Sequence, residues 1–175
     1  MSQTNYENRY NPVHKMKLRI LAIVALLAPL WLIAPAKGYS PQDLEQLRKT
    51  GTCPRCDLSG APLNELKLVN ANLREANLNG ANMSQVNLAG ADLSGANLEI
   101  ANLTGATLTN TIFTGANLKS ANLENADLTN GALVAVNLEG ANFRGAKMEF
   151  TNIRGAKFRL TTLSNGVVTP DSRYW

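Results

Sequence analysis

The chain has 175 residues, 45% hydrophobic, 17% charged and 6% aromatic, a composition that suits one folded domain. Its formal charge is +4, but residues 1–36 hold Arg9, Lys15, Lys17, Arg19 and Glu7, so residues 37–175 carry 13 basic and 12 acidic residues, a formal +1. Near neutrality excludes the strongly charged surfaces of nucleic-acid binders and mimics. The single histidine, His14, lies in the first segment and leaves the rest without imidazole for a metal site or catalytic triad.

Residues 1–36 follow the logic of a Sec-type signal peptide. His14, Lys15, Lys17 and Arg19 precede an apolar run from Ile20 to Ile33, and Ala34-Pro35-Ala36 then places cleavage between Ala36 and Lys37. The run holds Pro29 and is shorter than the roughly 20 residues a spanning helix needs. A retained membrane anchor over residues 18–36 is therefore the weaker alternative. No Arg-Arg pair points to twin-arginine export. Met16 opens a compact signal of its own and is an alternative start to Met1.

Residues 37–52 form a linker and a short capping helix. Ser40 stands at the N-cap, Pro41 at the first helical position, Asp43 and Glu45 early, Arg48 and Lys49 late, and Gly51 at the stop. Leu44 and Leu47 share one side of that helix and can cover the first layer of whatever follows.

From Leu58 to Leu163 every fifth residue is large and apolar: 22 consecutive positions comprising sixteen Leu, three Phe, two Met and one Ile. A helix would spread a five-residue repeat around all its sides, and a flat strand would put successive members on opposite faces. What remains is a chain that turns a corner once per pentad and stacks its coils as parallel ladders, with these positions on the axis. The central slot includes Leu58, Leu73, Leu78, Leu93, Leu103, Phe113, Leu123, Phe143 and Phe158. Two residues earlier stands Ala in fourteen of the 22 pentads, a second inward slot; between them stands Asn or Asp, also in fourteen. Those side chains can bond local backbone at turns. Gly follows the centre by two in nine pentads, where a corner wants permissive dihedrals.

Cys53-Pro54-Arg55-Cys56 is the one sequence feature with chemical potential. A thiol-exchange pair needs a βαβ context that is missing here. Counting back from Leu58, Cys53 takes a central slot and Cys56 the next small slot, so both sulfurs point at the axis. Separation by three residues across a corner is within disulfide range, and export supplies an oxidising compartment. A structural disulfide is the expectation; redox regulation, free thiols or a shared metal are the alternatives.

Segments such as Ala91-Asp92-Leu93-Ser94-Gly95 and Ala96-Asn97-Leu98 resemble the pentapeptide-repeat family, A(N/D)LxG, and the likeness extends over most of the chain beyond the capping helix. The resemblance implies an all-β solenoid: a right-handed quadrilateral parallel β-helix over residues 53–168, with four pentads per coil and about five to six coils. The phrase CPRCDLSGA, Cys53 to Ala61, also looks like the start of exported cyanobacterial members, which implies the periplasm or thylakoid lumen.

At the far end the register is expected to run once more, through Gly166 and Val168, until Pro170 stops it. Residues 169–175 form a cap or tail in which Tyr174 and Trp175 fold over the last coil, or mediate the end-to-end dimerisation that the resemblance allows. With four pentads per coil, Asn79, Glu99, Lys119, Glu139 and Arg159 stack in one column, Glu124 lies under Arg144, and Asp127 under Lys147. The basic stretch from Arg144 to Arg159 could meet an acidic protein or anionic lipid, or be a solvated end of the rod. Ile100 and Leu160 share one corner column, and Val69, Val134 and Phe150 are further exposed apolar candidates.

These features favour a non-enzymatic extracytoplasmic scaffold for an unidentified protein partner, without cofactor, metal or nucleic acid. It would be a monomer or end-to-end homodimer, and membrane-bound only if the N-terminal segment is kept. A redox-responsive protein using Cys53 and Cys56 is the alternative. A topoisomerase-inhibiting DNA mimic fits less well, since it needs an acidic cytoplasmic surface.

Overall fold

The computed structural model describes residues 38–171. The chain divides into two units, Met1–Ala36 and Lys37–Trp175, and the described residues all lie in the second. The signal segment, the Ala36/Lys37 cleavage site, the choice of Met1 or Met16, and the Tyr174 and Trp175 cap lie outside the described residues.

Helix α1, Pro41–Thr50, begins where Ser40 leaves extended backbone and its hydroxyl accepts from the Asp43 amide at 3.2 Å. It ends where Gly51 adopts φ 65° and donates its amide to the Leu47 carbonyl at 2.8 Å. That left-handed stop suits glycine. Leu44 and Leu47 are buried against the coil beneath, so α1 closes the N-terminal end of the core.

Beyond α1 the backbone pairs in parallel with itself at a separation of four pentads, from Thr52↔Asn72 without a break to Asn142↔Thr162. Four pentads therefore complete each turn of a parallel β-helix. The hydrogen bonds of one pentad explain its sequence. In Ala96-Asn97-Leu98-Glu99-Ile100, the Ala96 amide closes the corner on the Leu93 carbonyl at 3.0 Å, and the Asn97 amide reaches the preceding coil at the Ala76 carbonyl, 2.9 Å. Leu98 and Ile100 donate to the following coil, at the Asn117 and Lys119 carbonyls, 2.7 and 2.9 Å. One amide is left over, that of Glu99, and the Asn97 Oδ1 accepts it at 3.2 Å. The Asn/Asp slot thus supplies the acceptor that no backbone carbonyl reaches. Pro62 occupies this slot in the first coil, where no earlier coil would receive its amide.

The axis is filled by side chains. Leu58, Leu73, Leu78, Leu93, Leu103, Phe113, Leu123 and Phe143 are fully buried, with Ala61, Ala76, Ala81, Ala91 and Ala96 beside them. Phe158, expected among the core centres, is only partly buried, because the helix ends above it. Buried Thr111 and Thr161 stand in small slots and donate their hydroxyls to the Leu88 and Leu138 carbonyls at 2.9 and 2.6 Å. All these core residues belong to the second unit, which carries its own core.

One expectation needs correction here. The register does not run on through Gly166 and Val168: after Thr162 the chain reverses, Gly166 turns at φ 83°, and Val168 pairs antiparallel with Thr162. With no further coil above, this return lets Thr169 donate its amide to the Thr161 carbonyl and accept the Thr161 amide at its hydroxyl, 2.8 and 2.9 Å. The other corners, where glycine is absent, hold the same backbone. Arg55, Gln85, Ile100, Ala135, Phe150, Leu160 and several Asn residues all hold φ between 54° and 60° there. At Gly90 the backbone holds φ 71°, and a Cβ there would make the Asn70 Oδ1 of the preceding coil swing aside.

Replacing Leu103 by Asp puts an unpaired carboxylate on a dry axis, a cost of several kcal/mol. No cooperative thermal transition near the wild-type temperature is expected by circular dichroism. A melt within a few degrees of wild type would show that position 103 does not face inward.

Candidate functional site

With the axis closed, the groups available for function are the N-terminal cysteine pair, the long faces and the C-terminal end.

Cys53 and Cys56 are disulfide-bonded with Cα atoms 5.4 Å apart, and both are buried. The bond lies under α1, where the Cys53 sulfur is 3.2 Å from the Asp43 carbonyl oxygen. Asp43 also accepts the Asp57 amide at its Oδ2, 2.8 Å, while the Ser40 amide donates to the Asp57 carbonyl at 2.9 Å. Gln46 adds a bond from its Nε2 to the Thr52 carbonyl at 2.9 Å. Disulfide, helix and first coil therefore form one closure. The sequence places Asp43 in the first turn of α1 as a dipole partner, but its reach across to Asp57 has no local signal.

On the faces the Asn side chains that complete the pentads also stack. Asn117 Nδ2 donates to Asn97 Oδ1 at 3.2 Å, and Asn137 Nδ2 to Asn117 Oδ1 at 3.2 Å. A second ladder joins Asn142 to Asn122 at 3.0 Å. Each amide thus caps its own turn and ties the coil to the one before.

Of the expected charge columns one end is formed. Arg159 pairs with Glu139 and, at 3.3 Å, with Asp171. Among the described residues, Lys119 forms no contact ion pair in that column, and Glu124 with Arg144 and Asp127 with Lys147 are not bonded. Two pairs arise elsewhere: Arg55 with Glu75 at 2.8 Å on a corner, and Arg74 with Asp92 at 2.8 Å. The first follows the one-coil spacing and could have been found by extending the columns to corner slots. The second joins unlike slots of successive coils.

These contacts shift carboxyl groups. The Arg55 guanidinium, by its hydrogen bond and its charge, holds Glu75 below the usual carboxylate range. Partial burial pushes Asp92 up, but the Ser94 hydroxyl and amide and Arg74 together outweigh it and leave Asp92 lowered. Asp127 is lowered by the Thr129 hydroxyl first, then the Thr129 amide, with Lys147 adding a little.

At the C-terminal end the axis opens. Phe143, Met148, Ile153, Phe158 and Leu163 line a cavity of about 500 Å³, and Ile153, in a central slot, is 44% exposed.

Pentapeptide repeats, in eight copies, match residues 56–95, 91–130 and 132–165. The chain belongs to the pentapeptide repeat family. Among solved structures, this pentapeptide repeat protein is similar to Rfr23 of the cyanobacterium Cyanothece 51142, at 31% identity and TM-score 0.65, covering 70% of this chain and 95% of that one. A pentapeptide repeat protein of the Arabidopsis thaliana thylakoid lumen aligns at 29% identity and TM-score 0.39, over 65% of this chain and 69% of its own. QnrB1, a plasmid-mediated fluoroquinolone resistance protein, aligns at 21% identity and TM-score 0.37, over 66% and 62%. No curated protein sequence matches the chain. The family places this protein among structural repeat proteins of the β-helix class.

Reduction tests the N-terminal closure. Replacing both Cys53 and Cys56 by Ser is expected to cost about 2 kcal/mol by loop entropy, read as a lower denaturation midpoint, with amide exchange in α1 rising most. Equal stability with an unchanged α1 would detach the bond from the closure.

Acid tests the capped carboxylates. Groups held below their unfolded pKa stabilise the fold above the ordinary Asp range, near 4, and lose that contribution as pH falls through the lowered folded values. The thermal midpoint should be level from pH 6 to about 4.5 and fall below that. Asp127→Asn keeps the turn acceptor and should flatten part of the fall.

Proposed function

We propose that this pentapeptide repeat protein is a non-enzymatic, extracytoplasmic scaffold for protein partners, built as a right-handed quadrilateral rod of five to six coils. The observation that carries the reading is the filled axis: from Leu58 to Phe143 the central slots hold buried side chains, packed where a substrate would have to enter. Function then falls to the outer surface, whose Asn ladders are rigid, hydrogen-bonded and flat. A rigid surface loses little conformational entropy when a partner docks, which favours binding.

The buried disulfide supports an oxidising compartment, consistent with export to the periplasm or thylakoid lumen after cleavage between Ala36 and Lys37. A second reading, redox response at Cys53 and Cys56, has one observation behind it: the bond sits in contact with α1, so reduction would loosen the closure. DNA mimicry fits poorly, since the described residues carry 11 basic and 12 acidic side chains.

Intact mass measurement on protein from its native cell fraction, with and without reduction before alkylation, tests the compartment. A mass starting at Lys37 with two thiols appearing only after reduction supports the reading; a retained N-terminus with free thiols contradicts it. In the same fraction the protein should migrate in an assembly larger than itself, and Glu124→Lys or another single reversal on a long face should break that assembly without moving the melting temperature. Free monomer in the native fraction, untouched by face variants, would remove the scaffold role.

A further inference from the structure

We infer that the C-terminal end of the rod is a docking surface for an anionic membrane, met end-on. Two independent features converge there.

The first is charge. Among residues 38–140 there are six basic and ten acidic side chains, a formal −4; among residues 141–171 there are five and two, a formal +3. Four of those cations, Arg144, Lys147, Arg154 and Lys157, make no side-chain hydrogen bond or contact ion pair with the described residues. Arg144 and Arg154 are two pentads apart, half a turn of the helix, as are Lys147 and Lys157, so the cations ring the perimeter rather than crowd one face. A ring of charge around an end matches a broad flat target.

The second is apolar exposure. Of the eight exposed large apolar residues among those described, five, Phe150, Ile153, Leu160, Val167 and Val168, fall from position 150 onward, and Ile153 lines the open cavity. A cationic rim around an apolar mouth is the surface pattern that anionic headgroups and the acyl boundary satisfy together.

At a corner of this same end Phe150 keeps 88% of its surface exposed.

Another occupant, a second copy, fits less well. Joined by the same end it would set +3 against +3, and the opposite end is closed by α1. End-on membrane contact needs no N-terminal anchor, unlike the membrane contact expected from the sequence, and would leave the long faces free for a partner.

The test uses the second unit, residues 37–175, which carries its own core and in which Trp175 is the sole tryptophan. Co-sedimentation with phosphatidylglycerol vesicles is expected, weakening as salt rises, with little binding to phosphatidylcholine vesicles. Trp175 emission should shift to the blue and gain protection from acrylamide only with the anionic vesicles. The Lys147→Gln, Arg154→Gln double variant should bind about 30-fold more weakly and Phe150→Ser about tenfold more weakly. Arg48→Gln with Lys49→Gln, at the other end, should bind as wild type.

No binding to anionic vesicles at low salt overturns the proposal, as does an equal loss from the Arg48 and Lys49 control. Trp175 already shielded in the monomer and unmoved by vesicles would assign the mouth to the chain's own tail. Shielding that grows with protein concentration would assign it to a second copy, and binding of heparin that ignores Phe150→Ser would assign it to a soluble polyanion.

Discussion

Each pentad has five backbone amides to satisfy, and the parallel pairing of coils together with the corner turn takes four of them. The fifth, one residue after the central Leu, faces no carbonyl. Where the preceding slot is Asn or Asp, its side-chain oxygen turns back and accepts that amide, as at Asn77, Asn97 and Asn117. An amide left without that acceptor turns to water instead, and the intramolecular bond it forgoes is worth about 1 kcal/mol. Where Asn or Asp fills it, the polar slot thus links the local corner to the stacked helix, while Leu108, Phe113 and Leu133 are fully buried without it.

From the same constraint follows the arrangement of everything outside. Fixing the coil at four pentads turns single side chains into columns. Asn columns then gain a second bond from coil to coil, while charged columns stay mostly solvated. Exposed ion pairs contribute little, and those here behave accordingly: Arg159 serves Glu139 and Asp171 near the last coil, whereas Lys119 makes no contact ion pair with the glutamates above and below it. The expensive places in a solenoid are its ends. At the N-terminal end α1, Asp43 and the disulfide close the first coil together. The C-terminal end is closed less completely: the return of Val168 onto Thr162 satisfies edge backbone but leaves Ile153 and its neighbours open.

Much of this is legible in the sequence. The five-residue period excludes helix and flat strand, and the inward slots can be named because large apolar residues hold the central one without interruption. Ser40, Pro41 and Gly51 mark α1 because capping chemistry is local. What escapes is whatever depends on the neighbouring coil. Left-handed corners at Ile100, Ala135 and Phe150 carry no sequence mark, since the corner forces φ on whichever residue stands there. The reversal after Thr162 is hidden because Leu163, Gly166 and Val168 continue the five-residue pattern; only the missing next coil turns the chain back. Arg74 and Asp92 meet across unlike slots, a relation that stacking equal slots cannot show.

Amide hydrogen exchange, followed residue by residue by NMR, reaches the central claim most directly. If the Asn/Asp oxygen supplies the acceptor that the backbone lacks, then the amides of Glu99, Lys119 and Glu124, each two residues after an Asn, should exchange slowly. Those of Thr109, Thr114 and Val134, which follow Thr107, Ile112 and Ala132, should exchange quickly although they occupy the same slot in adjacent pentads. Equal rates in the two sets would mean that the side-chain bond is not what completes the pentad, and that the polar slot is there for another reason.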